Sequence, residues 1–271
     1  MKHFAVIGDP VKHSLSPKMH EWIFDSLQIN ADYKDLKVKS HELLQIITNI
    51  KKGMLDGINV TLPHKENIIK YLDAISPKAK AIGSVNCIIK SGSKIIGNNT
   101  DWFGFTIALK KNDINLKGKS VIVLGAGGTA RSIIFSLKNM GVNKIDILNR
   151  NIKNAKTLED DCVSAYPLNA SKEVIKSNSI IVNTTSVGMN SDQSLIRKNL
   201  INQNQTLIDV IYIPLETKFL QYGKDVGALT LNGLDMFIEQ GLASLDLWFG
   251  SSISTKVNFT QLKAYLGSQL C

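Results

Sequence analysis

Short apolar runs alternate with stretches of helical spacing along the whole chain. Phe4–Gly8 is brief and apolar and reads as a strand. Ser16-Pro17 then opens a helix to about Leu27, because serine caps helix starts and proline fits the first turn. Tyr33–Val38 is the next strand. His41–Lys51 carries apolar residues at 43, 44, 46, 47 and 50, the spacing of one helix face. Gly57–Thr61 reads as a strand, followed by a Pro63-led helix through Tyr71. Val85–Lys90 and Lys94–Gly97 form a hairpin around Ser91-Gly92, and a helix covers Asp101–Lys111. Asn112–Lys119 is polar and reads as a linker into a new unit.

Beyond it, Ser120–Leu124 is continuously apolar, as suits a strand buried on both faces. The pattern continues as helix 127–139, strand 144–148, helix 151–160, strands 179–183 and 206–210, helix 216–223 and strand 228–231. Gly233–Phe249 is the longest helical pattern, and Thr255–Leu266 is a last helix. The β–α–β rhythm predicts an α/β fold with a doubly wound parallel sheet.

Composition narrows the class. The chain has 271 residues, 44% hydrophobic and 20% charged, which excludes disordered, collagen-like and disulfide-scaffold chains. No run approaches the ~18 apolar residues that span a bilayer. The start is too short for a secretory signal, which needs an apolar core of roughly 7–15 residues. Cys87, Cys162 and Cys271 are far apart, with no Cys-x-x-Cys, which points to a reducing cytoplasm. Net charge is +9, but only Arg131, Arg150 and Arg197 are arginines and the lysines are scattered. That excludes nucleic acid as the expected partner and leaves attraction for a small acidic metabolite.

Val121–Ala130 reads as a strand followed by G-x-G-x-x-A opening a helix, the context a dinucleotide fingerprint requires. Gly125 makes the tight turn, Gly127 lets backbone approach a pyrophosphate, and Ala130 allows close helix packing. Ala126, Gly128 and Thr129 complete the cradle, with phosphates on the helix N-terminus. The next strand ends Asn149-Arg150, where an NAD site carries a carboxylate for the ribose hydroxyl. Replacing a carboxylate by a guanidinium suits a 2′-phosphate and predicts NADP, with Lys153 as a second positive charge.

Polar residues mark element ends in the first half. Ser14 and Ser16 put two hydroxyls at a helix start, where Ser16 reads either as a plain N-cap or as part of an anion site. Asn59 and Thr61 alternate to one face of a strand end, and Lys65 lies one helical turn on. Asn98-Asn99-Thr100-Asp101 is a polar cluster at another strand end. Lys65 and Asp101 as an ionised pair in a cleft would handle the proton that a ketone reduction needs beside its hydride. The five histidines (3, 13, 20, 41 and 64) lack metal spacing, so no metal is expected. Neither Ser14 nor Ser186 has the setting of a hydrolase nucleophile.

Taken in order, these motifs resemble the shikimate dehydrogenase family. They run from Gly8-Asp9-Pro10 and His13–Pro17 through Asn59–Lys65, Ala81–Asn86, Asn99–Asp101, Gly125–Arg131, Asn149-Arg150 and Asn183–Met189 to Gly233–Met236 and Gln240. The resemblance implies two α/β domains, a discontinuous substrate domain (1–102 and 237–271) and a Rossmann-type NADP domain (103–236). It implies NADP-linked interconversion of 3-dehydroshikimate and shikimate in the cytoplasm, by a monomer or homodimer. Lys65 and Asp101 would be the catalytic pair. Ser14, Ser16 and Tyr212 would serve the substrate carboxylate, and Asn59, Thr61, Asn86, Asp101 and Gln240 its hydroxyls. Thr184, Thr185, Ser186, Ile211, Gly233 and Met236 would join the Gly-rich turn around the cofactor.

The chain departs from the family pattern at Asn98, Trp102, Cys87 and Asn154. Trp102 follows Asp101 directly and either reshapes the cleft or belongs to the core. Within enzymes, the rival reading is a quinate or broader cyclitol dehydrogenase. Outside them, it is a dinucleotide sensor on the same fold, whose hallmark would be loss of Lys65 or Asp101.

Overall fold

The structure, a computed structural model, describes residues 1–270. The chain divides into two compact units, Met1–Gly104 with Ile238–Gln269, and Phe105–Phe237.

The first unit starts with β1 (Lys2–Gly8), α1 (Ser16–Ser26), β2 (Ala31–Lys37), α2 (Leu43–Lys51) and β3 (Gly57–Val60). Next come β4 (Ala74–Ile75), α3 (Pro77–Ile82), β5 (Cys87–Ser91) and β6 (Lys94–Asn98), and α4 (Asp101–Lys111) begins in this unit and ends in the second. The strands form a six-stranded mixed sheet, β2-β1-β3-β5-β6-β4. Ile7, Ile58, Val60 and Ile88 from three neighbouring strands are fully buried against Leu43, Ile47 and Ile50 of α2.

The Pro63-led helix is not formed. Residues 61–66 form turns and irregular backbone with no α-helix, and a short 3₁₀ helix covers Asn67–Tyr71. α3 was not read from the sequence, although its signals are present. The Ser76 side chain accepts from the Ala79 N–H, Pro77 is the first helical residue, and Gly83 closes the helix at φ 71°.

The second unit contains β7 (Ser120–Leu124), α5 (Gly128–Asn139), β8 (Lys144–Asn149), α6 (Ile152–Lys156), β9 (Val163–Pro167) and α7 (Ser171–Lys176). β10 (Ile180–Asn183), β11 (Thr206–Asp209), α8 (Lys218–Asp225) and β12 (Leu229–Leu231) complete it. All six strands are parallel, in the order β12-β11-β10-β7-β8-β9. That is the 3-2-1-4-5-6 order of a dinucleotide-binding sheet read from its other edge, with the switch point between β7 and β10.

The expected helix 151–160 ends at Lys156, and β9 follows it as an edge strand. β9 ends on a proline and is only half-buried, so its apolar signal is weak. The polar run 112–119 is not a bare linker, because Ile114 and Leu116 in it are buried in this unit's core.

The chain then forms α9 (Leu234–Phe249) and α10 (Phe259–Ser268), the latter starting after a 3₁₀ turn at Ile253–Lys256. In the first unit Trp248 of α9 stacks on Phe4, with centroids 4.6 Å apart, and its Nε1–H donates to the Ile88 carbonyl at 3.0 Å. A side chain at Gly57 would occupy the space of that indole, so glycine lets the helix seat on β3. Among the described residues no helix is long and apolar enough to cross a membrane.

Candidate active site

In the first sheet, β1 and β3 run parallel, β5 runs against β3, and β6 runs against β5. The carboxyl ends of β1, β3 and β6 therefore share one edge with the amino end of β5. Asn59, Cys87 and Asn98 lie in register across that edge. The segments following Gly8, Val60 and Asn98, and the segment leading into Cys87, thus gather at one end of the sheet.

Lys65 and Asp101 meet there. Lys65 Nζ donates to Asp101 Oδ2 at 2.7 Å, with the two side chains only 11% and 7% exposed. One backbone bond and an anchored neighbour fix the lysine, since Val85 N–H donates to the Lys65 carbonyl at 2.8 Å and the side-chain ring of His64 bonds the Val38 carbonyl at 2.6 Å. Asp101 begins α4, where the helix N-terminus favours a negative charge.

Asn86 holds the second carboxylate oxygen. Its Nδ2 donates to Asp101 Oδ1 at 2.8 Å and reaches Thr100 Oγ1 at 2.9 Å and Gln240 Oε1 at 3.3 Å. The Thr100 N–H donates to Asn86 Oδ1 at 2.7 Å, which orients the amide. Four of the expected residues, Lys65, Asp101, Asn86 and Gln240, therefore form one connected network.

Asn59 adjoins this network and is largely consumed by the protein. Its Nδ2 donates to the Asn86 carbonyl and to Ser244 Oγ, while its Oδ1 accepts from the Tyr33 hydroxyl at 2.8 Å. Tyr33 in turn stacks on His20, ring centroids 4.0 Å apart. His20 is buried, its Nδ1 bonds the Ser16 carbonyl at 2.8 Å, and its Nε2 is buried without a hydrogen-bond partner. Burial lowers its pKa to about 4, against the smaller opposite pull of the Ser16 bond. The imidazole is thus neutral at physiological pH.

Ser14 Oγ donates to Ser16 Oγ at 3.1 Å and accepts from the Ser16 N–H at 3.2 Å. The plain N-cap reading of Ser16 is therefore corrected: Leu15 takes the cap position, and Ser16 is the first helical residue. Two hydroxyls stand at the start of an 11-residue helix. Thr61 packs against Gly8, where any side-chain carbon would stand 2.5 Å from its Cγ2. Trp102 is half-buried, with Lys78 Nζ 4.3 Å from its ring centroid.

The second unit presents the Gly-rich turn at its switch point. Gly125 has φ 108°, and a Cβ there would stand 2.7 Å from Thr184 Oγ1 and 3.0 Å from Thr185 Cγ2. Gly127, in contrast, has open space where its Cβ would be. It precedes α5, whose first-turn N–H groups receive no side-chain cap. Asn149 is half-buried and its Nδ2 donates to the Asn151 carbonyl, whereas Arg150 and Lys153 are exposed. Thr184 Oγ1 donates to the Leu124 carbonyl at 2.6 Å. Tyr212 stacks on Phe237, centroids 4.3 Å apart, and Met236 is buried in this unit's core.

Several contributors carried no assigned role in the sequence: Tyr33, His20, Thr100, Ser244, Asn183 and Asp209. The signal available for Asp209 was a carboxylate closing an apolar strand. Burial pushes its pKa up to about 6, while bonds from the Ile211 N–H, the Thr217 hydroxyl and Asn183 pull the other way. Ser244 had no such signal, because it lies within a mostly apolar helix.

Comparison with known proteins bears on this geometry. Residues 6–88 match the family described as shikimate dehydrogenase substrate binding domain, and residues 106–211 match shikimate / quinate 5-dehydrogenase. The chain belongs to the shikimate dehydrogenase family. A Bacillus cereus shikimate dehydrogenase (NADP(+)) is 39% identical over 255 residues, covering 91% of this chain and 92% of that protein. A Thermus thermophilus shikimate 5-dehydrogenase, solved in complex with NADP(H) and shikimate, is 35% identical with TM-score 0.84, covering 92% of this chain and 94% of that one. A Listeria monocytogenes shikimate 5-dehydrogenase, in complex with shikimate and NAD, is 30% identical with TM-score 0.86, covering 98% and 96%.

The residues present fit a dinucleotide. An uncapped helix start faced by a glycine with open space is an anion cradle. The strand end that would repel a 2′-phosphate with a carboxylate carries Asn149, with exposed Arg150 beside it. Cys87 is no rival nucleophile, since burial pushes its thiol up to about 12 despite a hydrogen bond with Ser244. Among the described residues no group of three or more His, Cys, Asp or Glu is placed to hold a metal.

Proposed function

We propose that this chain is an NADP-dependent shikimate dehydrogenase that reversibly reduces 3-dehydroshikimate to shikimate on the way to chorismate. The observation that carries the reading is the buried Lys65–Asp101 pair, held by Asn86 at the sheet edge of the first unit. The first unit is the substrate domain and the second the dinucleotide domain.

NADPH supplies the hydride when bound. The protein supplies position and a proton. During reduction the Lys65 ammonium gives a proton to the oxygen of the ketone, and solvent restores it. In the reverse direction the neutral amine takes the hydroxyl proton. Asp101 accepts from Lys65 at one oxygen and from Asn86 at the other, so the amine is held in one direction. Ser14 and Ser16, at the positive end of α1, bind the substrate carboxylate. Asn59, Thr61, Asn86, Asp101 and Gln240 serve its hydroxyls, with the Asn59 and Asn86 amides held in orientation by their bonds within the protein. On the cofactor side act Gly125–Ala130, Asn149, Arg150, Lys153, Thr184–Ser186, Ile211, Gly233 and Met236. Free thiols at Cys87 and Cys162 support the cytoplasm as the compartment.

The test is a spectrophotometric assay of NADP+ reduction with shikimate and with quinate. Shikimate with NADP+ should give the highest kcat/KM. No NADPH formed from shikimate, or a higher kcat/KM for quinate, would overturn the reading.

A further inference from the structure

Asp209 closes β11 in the second unit, is wholly buried, and faces no cation among the hydrogen bonds and ion pairs of the described residues. Its carboxylate is met by three donors. Oδ1 accepts from the Ile211 N–H and from Asn183 Nδ2, each at 3.0 Å, and Oδ2 accepts from the Thr217 hydroxyl at 2.7 Å. A backbone N–H and an amide NH2 can only donate, so the cage is built for an acceptor at Oδ1.

Asn183 closes the neighbouring strand β10 and passes this anchoring on. Its Oδ1 accepts from the Thr185 N–H at 3.1 Å and the Thr185 hydroxyl at 2.8 Å, and its Nδ2 also reaches the Val187 carbonyl at 3.3 Å. Thr185 and Val187 are thus tied to one amide, which is tied in turn to Asp209, while Thr184 is held separately by the Leu124 carbonyl. On the other side, Ile211, fixed through its N–H, accepts at its carbonyl from the Gly233 N–H at 2.9 Å. A side chain at Gly233 would collide with the Val210 carbonyl, so this approach is close.

We propose that Asp209 is a positioning residue for the cofactor: through Asn183 and the Ile211 N–H it sets the two loops at the carboxyl ends of β10 and β11 in the geometry that receives NADP. The inference rests on the functional reading above for the identity of the cofactor. An acceptor at this position suits the task because losing it leaves buried donors unpaired.

The variants are Asp209→Ala, Asp209→Asn, Asn183→Ala and Thr217→Val. The measurements are the dissociation constant for NADP+ by calorimetry, the KM values for NADP+ and shikimate, the thermal midpoint, and amide exchange at residues 184–189 in the cofactor-free protein. Asp209→Ala and Asn183→Ala should weaken NADP+ binding about fivefold or more, speed exchange in that turn, and leave KM for shikimate within about twofold. Asp209→Asn keeps the Oδ1 acceptor and should restore binding to within about twofold of wild type. Thr217→Val cuts the bond to Oδ2 and the Leu220 N–H cap of α8, both leading away from the turn, so it should lower the midpoint and spare NADP+ binding.

Unchanged NADP+ affinity in Asn183→Ala would overturn the proposal, even if Asp209→Ala fails to fold. So would equal shifts in both KM values that track the midpoint. Wild-type protein that binds NADP+ but does not oxidise shikimate would sink the functional reading alone, and the calorimetric series would still decide the role of Asp209.

Discussion

Lys65 is asked to hold and move one proton, and its setting suits that task. Its ammonium donates a short bond to Asp101 in a nearly buried setting, and the Val85 N–H bond to its carbonyl fixes its backbone. Lys65→Ala should lower kcat about 100-fold or more while KM for shikimate changes only a few-fold, since proton transfer acts in the transition state. Lys65→Arg keeps the charge and removes a transferable proton, so it should fail to restore kcat. An unchanged kcat in either variant removes Lys65 from the mechanism. Arg150 is the matching test on the cofactor side. It is exposed beside Asn149, and Arg150→Asp should reverse or abolish the ratio of kcat/KM for NADP+ over NAD+, leaving the thermal midpoint near wild type. A preserved ratio would show that another group selects the phosphate.

At the scale of elements, glycines of one motif have different duties. Gly125 has φ 108° and Thr184 Oγ1 within 2.7 Å of where a Cβ would be, so Gly125→Ala should cost roughly 1–3 kcal/mol of stability. Gly127 has an ordinary φ of −91° and open space around its missing side chain. Gly127→Ala should leave the thermal midpoint almost unmoved and raise KM for NADP+, because the added methyl takes space only a ligand would use. Equal loss of stability in both variants would mean that the motif is merely a tight turn. This division was legible in the sequence, because strand, turn and helix follow one another within ten residues. The parallel strands β7, β8, β10 and β11 were legible for the same reason, each being a short apolar run. β9 and β4 were not, since an edge strand ending in proline and a two-residue strand bury too little to leave a period. The Pro63 helix failed because the residues around it serve a turn that delivers Lys65 to the sheet edge. The Lys65–Asp101 pairing was foreseen from two polar strand ends. Ser244, Tyr33 and His20 were not, because a buried polar side chain within an apolar element looks like any other residue until its partners, up to 185 positions away, are known.

Across the whole molecule, two buried titratable groups push stability in opposite directions with pH. His20 in the first unit has its folded pKa lowered by burial to about 4, below the ordinary 6.5. The unfolded chain then binds the extra proton between these values, so stability from this group is complete above pH 6.5 and is lost as pH falls toward 4. Asp209 in the second unit has its folded pKa raised by burial to about 6, above the ordinary 3.8. Here the folded chain binds the extra proton, so this group's contribution is full below pH 3.8 and is lost as pH rises through 6. Each shift corresponds to about 3 kcal/mol at 1.36 kcal/mol per pH unit, so the two nearly offset between pH 4 and 6.5. Replacing one group at a time exposes the other. Acidification from pH 6.5 to 4 should stabilise His20→Gln relative to wild type, and destabilise Asp209→Asn relative to wild type, each by roughly 2–3 kcal/mol in denaturant titrations. Contributions from the remaining carboxylates are common to all three proteins and cancel in these differences. Parallel pH curves for wild type and His20→Gln would mean that the imidazole titrates normally in the folded protein, and that its stack on Tyr33 is open to water.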